Sequence, residues 1–312
     1  MSTEVKDIAQ LMEGQAVDLP LMVVQKEIRQ SKTGSTFLQA IFRDASGSIT
    51  AFMWDNFEPV ASKLQPGQVV RIKGRTQKYR NSIQLVLHKI ELMADEEVDQ
   101  QAFMPSADAN VNEMYADLMD MVSTVENSHI LALLKAMLGN DEISKAFRNA
   151  PAAKTMHHSY IGGLLEHTLS LVKLCDHICM HYDHLNRDML IAGACLHDIG
   201  KIRELSHDGW MDYSREGRLI GHITIGVQMI DQFSAEIEGF PMETKELLQH
   251  MILSHHGEYE YGSPRRPKTR EALALHFLDN LDSHLNGFDQ ALKDQGSEVA
   301  YAKILERFIF DT

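Results

Sequence analysis

Leu196-His197-Asp198-Ile199-Gly200-Lys201 is the stretch from which this chain is best read. It closes an apolar helical run, Asp188–Cys195, with an imidazole and a carboxylate side by side, and Gly200 offers the positive φ that would turn the chain away. Working outward, ligand-type residues recur at intervals of two to three dozen positions. His167 lies thirty residues before His197, His222 follows twenty-four after Asp198, and then come His255-His256 and Asp279. Neutral imidazoles and carboxylates are what a divalent transition ion takes when no thiolate is offered. A set this large can hold two ions, a recurrent device for attacking a phosphate ester. The pattern predicts a metal-dependent phosphohydrolase.

The same residues decide the fold of their half of the chain. Helical periodicity runs through Val111–Thr124, His129–Leu138, Ile161–Tyr182, Asp188–Cys195, Ile223–Glu238, Glu243–His255 and Arg270–Lys293, with no strand-like alternation of comparable length. His167 sits early in the third of these, His222 opens the fifth, His255-His256 end the sixth before Gly257, and Asp279 lies inside the last. A helical bundle can converge such groups on an interior site. Residues 18–93 read differently. Leu21–Arg29, Thr36–Arg43, Ser48–Trp54, Gln68–Lys78 and Ser82–Leu92 are rich in β-branched, aromatic or alternating residues, and turn chemistry separates them. A short helix-like stretch, Asn56–Leu64, falls between the third and fourth. That order is the layout of an OB-fold barrel. The expected organisation is multidomain: an all-β OB-fold barrel over residues 1–95, an acidic linker over 96–110, and an all-α bundle over 111–312.

At 312 residues, with 44% apolar and 24% charged residues, the chain is an ordinary globular protein long enough for two cores. Its start lacks a basic segment followed by an apolar one, and no apolar run could span a bilayer, so no signal peptide and no membrane partner are expected. Three cysteines, Cys175, Cys179 and Cys195, suit a reducing, cytoplasmic setting. The spacing of Cys175 and Cys179 could suggest a metal pair, but small buried residues on an apolar face are the expectation. The net charge of −14 is uneven: residues 1–95 hold 12 Lys/Arg against 10 Asp/Glu, and the remainder 18 against 34. The acidic share thus lies on the half that would bind cations, which leaves nucleic acid open as a partner of the barrel.

Within the barrel, Arg71, Lys73 and Arg75 alternate with Val70, Ile72 and Gly74, giving one basic and one apolar face, and Tyr79 and Arg80 extend the basic side. With Trp54 these are candidates for single-stranded nucleic-acid contact, because OB-folds pair aromatic stacking with a cationic track. Small barrels also need aromatics inside, and Phe37, Phe42 and Phe52 are expected there. Of the 16 histidines, His177, His181, His184, His207 and His250 are expected to be satisfied surface or core residues, and buried packing is as good a reading as a site role for His157-His158.

The order His167, His197-Asp198, Asp279 resembles the HD phosphohydrolase superfamily, and His222 with His255-His256 resembles its binuclear branch. More specifically, GGLLEHTLS (Gly162–Ser170), HDIGK (His197–Lys201), GHI (Gly221–Ile223), HHGEYEYGSP (His255–Pro264) and EALALHFLDNLD (Glu271–Asp282) are similar to the YhaM-type 3′-to-5′ exoribonucleases, which also carry an OB-fold ahead of the HD domain. The resemblance implies that His167, His197, Asp198 and Asp279 hold a first ion. Asp198 would bridge to a second, held by His222 and His255, with His256 the alternative to His255, since neighbours on a helix end point ~100° apart. Manganese is the ion the family suggests, and iron or cobalt would also suit the ligands. Asp282 could orient a ligand from behind. Lys201 is an exposed helix-flanking lysine or a group that places a charge on a phosphate oxygen, and the resemblance favours the second; Asp198 would belong to the catalytic set. From the residues themselves, Arg265, Arg266 and Lys268 in a proline-bounded loop would grip the next phosphate, a solvated loop being the competing reading. The implied activity is exonucleolytic release of nucleoside 5′-monophosphates from single-stranded RNA, with single-stranded DNA as the other candidate. Rival readings are an HD phosphohydrolase of small nucleotides or cyclic dinucleotides, and a non-catalytic nucleic-acid-binding regulator. A homo-oligomer is compatible with the sequence.

Overall fold

The computed structural model describes residues 7–31, 34–79, 82–93, 98, 100–103, 109–152, 160–206, 212–295, 299–302 and 305–311. Arg80, His157-His158, His207 and most of the expected linker lie outside these. The chain divides into two compact units, one built mainly of residues up to Ser106 and one of Ala107–Ser206 with Asp212–Thr312.

In the first unit, β1 (Ala16–Gln30), β2 (Thr36–Asp44), β3 (Gly47–Met53), β4 (Val69–Tyr79) and β5 (Ser82–Leu92) close a barrel in the order β1-β2-β3-β5-β4. A single helical turn, α1 (Glu58–Ala61), joins β3 to β4, and β3 runs parallel to β5. Period-two alternation builds the interior: Leu38, Ala40 and Phe42 of β2 meet Ile49, Ala51 and Met53 of β3 and Val70 and Ile72 of β4. The same parity corrects two expectations. With Leu38 and Ala51 inside, Phe37 and Phe52 lie on the other side of their strands and join Trp54 in a cluster there; Phe37 is buried within it at 9% exposure, while of the three only Phe42 belongs to the barrel's core cluster.

The second unit is helical: α2 (Val111–Ser123), α3 (Ser128–Leu138), α4 (Asp141–Asn149), α5 (Gly163–His181), α6 (Arg187–Leu196), α7 (Lys201–Glu204), α8 (Arg215–Leu219), α9 (His222–Ala235), α10 (Met242–Ser254) and α11 (Arg270–Gln295). Two short antiparallel ladders accompany them, β6 (Leu205–Ser206) with β7 (Asp212–Tyr213), and β8 (Val299–Ala302) with β9 (Arg307–Phe310). Every residue of α6 from Met189 to Leu196 is buried, which marks it as the central helix. Around it pack Leu164, Leu165, Leu171 and Val172 of α5, Ile225 and Met229 of α9, Leu248 and Met251 of α10, and Leu275 of α11. Cys175 and Cys195 belong to this core and Cys179 packs against it, as small apolar residues would. Among the described residues no helix is long and apolar enough to cross a membrane.

Candidate metal centre

Five elements deliver the site. The buried helix α6 ends at Leu196, so His197 and Asp198 emerge inside the bundle rather than at its surface. Gly200 does let the chain turn, but not through a positive φ: its φ is −63°. Its reason is space, since a Cβ there would lie 2.0 Å from the carbonyl oxygen of His222. The missing side chain lets the start of α9 approach the His-Asp turn. Gly221, at φ +79°, starts α9 so that His222 occupies its first position. His167 comes from the buried face of α5, His255 and His256 from the end of α10, and Asp279 from α11.

The imidazoles are held from behind. Nδ1 of His197 donates to the Ala194 carbonyl (2.9 Å), that of His255 to Ile252 (2.7 Å) and that of His256 to Tyr261 (3.0 Å). His222 Nδ1 donates to Glu204 Oε1 (2.9 Å), which also accepts the His222 backbone N–H, and His167 Nδ1 donates to Asp282 Oδ2 (2.7 Å). Asp282 in turn accepts from the Ser170 hydroxyl. With Nδ1 engaged in each ring, Nε2 is the nitrogen turned towards the centre, the arrangement that orients metal-binding histidines. Five Nε2 atoms and two carboxylates therefore converge. His167 Nε2 lies 3.2 Å from His197 Nε2 and 3.1 Å from Asp279 Oδ1. Asp198 Oδ2 lies 3.2 Å from His197 Nε2, and Oδ1 lies 3.5 and 3.7 Å from the Nε2 atoms of His222 and His255.

Two ligand groups result, His167-His197-Asp279 and His222-His255-His256, each with donor atoms within 4.8 Å of one another, and Asp198 stands between them. Adjacent His255 and His256 both reach the second group, contrary to the helical 100° argument. His255 keeps helical dihedrals as the cap of α10 (φ −63°, ψ −30°), yet the centroids of the two rings lie only 4.2 Å apart.

Three atoms test whether cations fit here. Asp198 Oδ1, His222 Nε2 and His255 Nε2 are buried without a hydrogen-bond partner. They are lone pairs facing lone pairs, an arrangement that costs free energy unless something positive lies between them. The donor set, imidazole and carboxylate, is the one divalent transition ions accept. The residues fit.

The electrostatics agree. Burial alone would raise the Asp198 carboxyl, but Lys201, whose ammonium lies 2.7 Å from Oδ2, and His197 hold it well below the usual carboxylate range. Burial works against a charge on His167, yet the carboxylates of Asp279 and Asp282 outweigh it and raise the imidazole to about 10. Asp279 is lowered in return: burial opposes this, but the His167 bond prevails. Burial, then the neighbouring His256, pushes His255 far down, so that it stays neutral although Asp198 is close. Burial likewise lowers His256.

A cavity of about 360 Å³ opens on this centre, lined by Asp198, Lys201, His255, His256 and Asp279 together with Tyr261, His276, Asn280, Ser283 and His284. The last five were not singled out from the sequence. His276, Asn280 and His284 recur every four residues on α11, a polar periodicity beside Asp279 that could have been noticed. His276 donates Nδ1 to the His255 carbonyl (2.8 Å), and only a glycine at 257 leaves room for its ring. Glu204 was also missed, because it meets His222 only across eighteen residues of sequence and a fold. The basic loop is not part of the cavity lining. Arg265 and Lys268 are exposed, while Arg266 is tied to Glu258 (2.6 Å) and lies over the Tyr259 ring. His250 accepts from the Lys268 backbone N–H (2.9 Å), as a satisfied structural histidine would.

On the barrel, Trp54 and Tyr79 are 45% and 55% exposed. The Trp54 ring lies 4.6 Å from that of Phe37, tilted by 36°, and is stacked 6.0 Å from that of Phe52, forming a three-ring platform on the outer face. One lateral row across the sheet runs Gln39, Phe52, Val86, Arg75. The cationic side is less available than its sequence suggests. Asp18 takes Arg71 (2.6 Å) and Lys73 (3.4 Å), Glu91 also approaches Lys73 (3.8 Å), and Arg75 donates to the Gly14 carbonyl. Neighbouring strands supply those partners, and a single strand's pattern cannot display them.

The HD domain family model matches residues 164–284, and the model of the OB-fold nucleic acid binding domain matches residues 22–93. Barrel and centre thus define an HD-domain protein with an OB-fold ahead of it. Over 283 residues the chain is 35% identical to the 3′-5′ exoribonuclease YhaM of Bacillus subtilis (strain 168), covering 90% of this chain and 88% of that one. It is 35% identical over 289 residues to the protein of that name from Geobacillus sp. (strain WCH70), covering 92% and 88%. The corresponding protein of Listeria monocytogenes serotype 4b (strain CLIP80459) is 34% identical over 281 residues, 90% and 89%. The chain belongs to the YhaM family of 3′-5′ exoribonucleases.

Proposed function

We propose that the protein is a cytoplasmic, metal-dependent exoribonuclease that shortens single-stranded RNA from its 3′ end and releases nucleoside 5′-monophosphates, with single-stranded DNA a secondary substrate. The observation that carries this is the trio of buried atoms without a hydrogen-bond partner: Asp198 Oδ1, which stands between the two ligand groups, and His222 Nε2 and His255 Nε2 of one of them. In this reading His167, His197, Asp198 and Asp279 hold one ion, and Asp198, His222, His255 and His256 a second, with manganese the preferred metal. Bound ions of this kind lower the pKa of a water towards neutrality and polarise the phosphoryl oxygen.

The chain's own groups do the rest. Asp282 and Glu204 fix the rings of His167 and His222 so that their Nε2 atoms stay aimed at the centre. Lys201 presents an ammonium at the cavity wall, where a non-bridging phosphate oxygen can share it with Asp198. The cavity, about 360 Å³, accepts the terminal nucleotide between Tyr261 and the polar side of α11. We assign residues 1–95 to capture of the strand, 96–110 to a linker and 111–312 to hydrolysis. Trp54, with Phe37 and Phe52 behind it, offers a surface on which bases stack. Tyr79, Arg71, Lys73 and Arg75 lie on the outer surface of β4, and Arg265, Arg266 and Lys268 would meet phosphates further along the strand.

The test uses Mn²⁺ and end-labelled single-stranded RNA, the same RNA blocked by a 3′-phosphate, and cyclic dinucleotides. A ladder shortening from the 3′ end supports the proposal. Hydrolysis of cyclic dinucleotides alone would replace it with a small-nucleotide phosphohydrolase. Asp198→Ala should abolish cleavage and leave RNA binding in place.

A further inference from the structure

The outer side of α11 carries Leu273, Phe277, Leu281 and Leu285, all between 48% and 61% exposed. At ~100° per residue they fall within an arc of about 120°. No Asp, Glu, Lys or Arg between Ala272 and Phe288 falls in that arc, in a chain whose net charge is −14; His284, which also lines the cavity, lies in the arc towards its Leu273 edge. Absence of charge with aromatic enrichment is what distinguishes the centre of a protein interface from ordinary surface. The stripe does not end at Leu285. Phe288, Ala291 and Leu292 continue it in the same arc, and there the protein's own β8–β9 hairpin covers it through Ala300, Ala302 and Ile309. So three turns of one apolar face stand open while the last two are packed.

We propose that a second copy of this chain covers the open turns, with its α11 antiparallel to the first across a two-fold axis near Asp279. Spacing of four residues makes the stripe a single ridge of the kind that interdigitates between helices. A two-fold axis at its middle sets Leu273 against Leu285 and Phe277 against Leu281 of the other copy, a self-complementary contact. The area is adequate. Phe308 and Phe310, 68% and 63% exposed, stand on the face of the hairpin turned away from α11, since Ile309 between them packs on the helix; with that second face included, the six side chains offer on the order of 600 Å² of apolar surface per copy. A standard interface buries ~800 Å² per partner, about 65% of it apolar in homodimers. A lipid surface fits poorly: no Lys or Arg lies between Ala272 and Phe288, where a membrane-binding helix carries them beside its apolar face.

The experiment is the mass of the full-length protein in solution, by light scattering coupled to size-exclusion chromatography across a hundredfold range of concentration. The expected result is a particle of at least two 35.3 kDa chains. Phe277→Glu with Leu281→Glu should bring it to one chain, with Mn²⁺ binding and far-ultraviolet circular dichroism unchanged. Should that pair not fold, Phe277→Ser with Leu281→Ser is the milder version and should weaken self-association at least tenfold. A single-chain mass at every concentration, which would also be seen if another part of the same chain covered the stripe, overturns the proposal. So does an assembly whose mass the folded variants leave unchanged.

Discussion

Glu204 tests whether the centre depends on groups that touch no ion. One of its carboxylate oxygens accepts two hydrogen bonds from His222, from the backbone N–H and from Nδ1, both at 2.9 Å. Burial alone would raise this carboxyl, but the His222 bond outweighs it, so the group is ionised and the bonds are charge-assisted. Such bonds are worth ~1.5–3 kcal/mol against about 1 for neutral ones. Glu204→Gln keeps an acceptor oxygen but loses the charge, a change of about 1–2 kcal/mol, or roughly tenfold in affinity at ~1.4 kcal/mol per decade. Glu204→Ala removes both bonds and frees the ring, and the loss should approach ~100-fold, the upper range for partners behind metal ligands. Isothermal titration of Mn²⁺ into the metal-stripped protein should show weakening of one of two binding events, with the other unchanged. At saturating Mn²⁺ the rate of RNA shortening should return to within a few-fold of the parent. Unaltered affinity in both variants would refute the reasoning that His222 is a ligand positioned by Glu204.

Other outcomes follow from the same geometry. Because His167 is raised to about 10, at neutral pH it holds a proton that a cation must displace. Binding there should release one proton and tighten by up to ~tenfold per pH unit as pH rises towards that value. His255 and His256 are lowered and already neutral, so neither should release a proton above neutrality; titration in buffers of different ionisation enthalpy reads this, and an absence of proton release would contradict the assignment of His167. Gly200→Ala would drive a Cβ to 2.0 Å from the His222 carbonyl. It should cost ~1–3 kcal/mol or more of stability, seen as a lowered melting temperature, and should weaken Mn²⁺ binding. Trp54→Ala should weaken binding of single-stranded RNA by ~1–3 kcal/mol if one base stacks there. Arg71→Ala, at a side chain already satisfied by Asp18, should change it little; fluorescence anisotropy distinguishes the two.

How legible these features were depended on how far apart in sequence their causes lie. The five strands and the ligand-bearing helices announced themselves because period two and period 3.6 are local signals. α4 did not, being nine residues of short amphipathic helix close behind α3. The ligands were legible as chemistry, seven side chains of two types in order along the chain. Of what holds them, only Asp282 behind His167 was. Glu204 reaches His222 only once α7 and α9 pack together, and Gly200 is required by a backbone approach rather than by its own dihedral angle. Phe52 was misjudged, and Phe37, though buried, packs outside the barrel core, because aromatic character does not say which side of a strand is inside; parity with Leu38 and Ala51 does. The acids that neutralise Arg71 and Lys73 sit on β1 and β5, so the basic face of β4 looked barer than it is.

The most direct measurement is a titration of Mn²⁺ into metal-stripped protein, following bound equivalents and the rate of 3′-end shortening together. The account predicts two equivalents per chain and a rate that is negligible without metal and maximal only as the second equivalent binds. Full-speed shortening by the stripped protein, or saturation of binding without two equivalents, would contradict it.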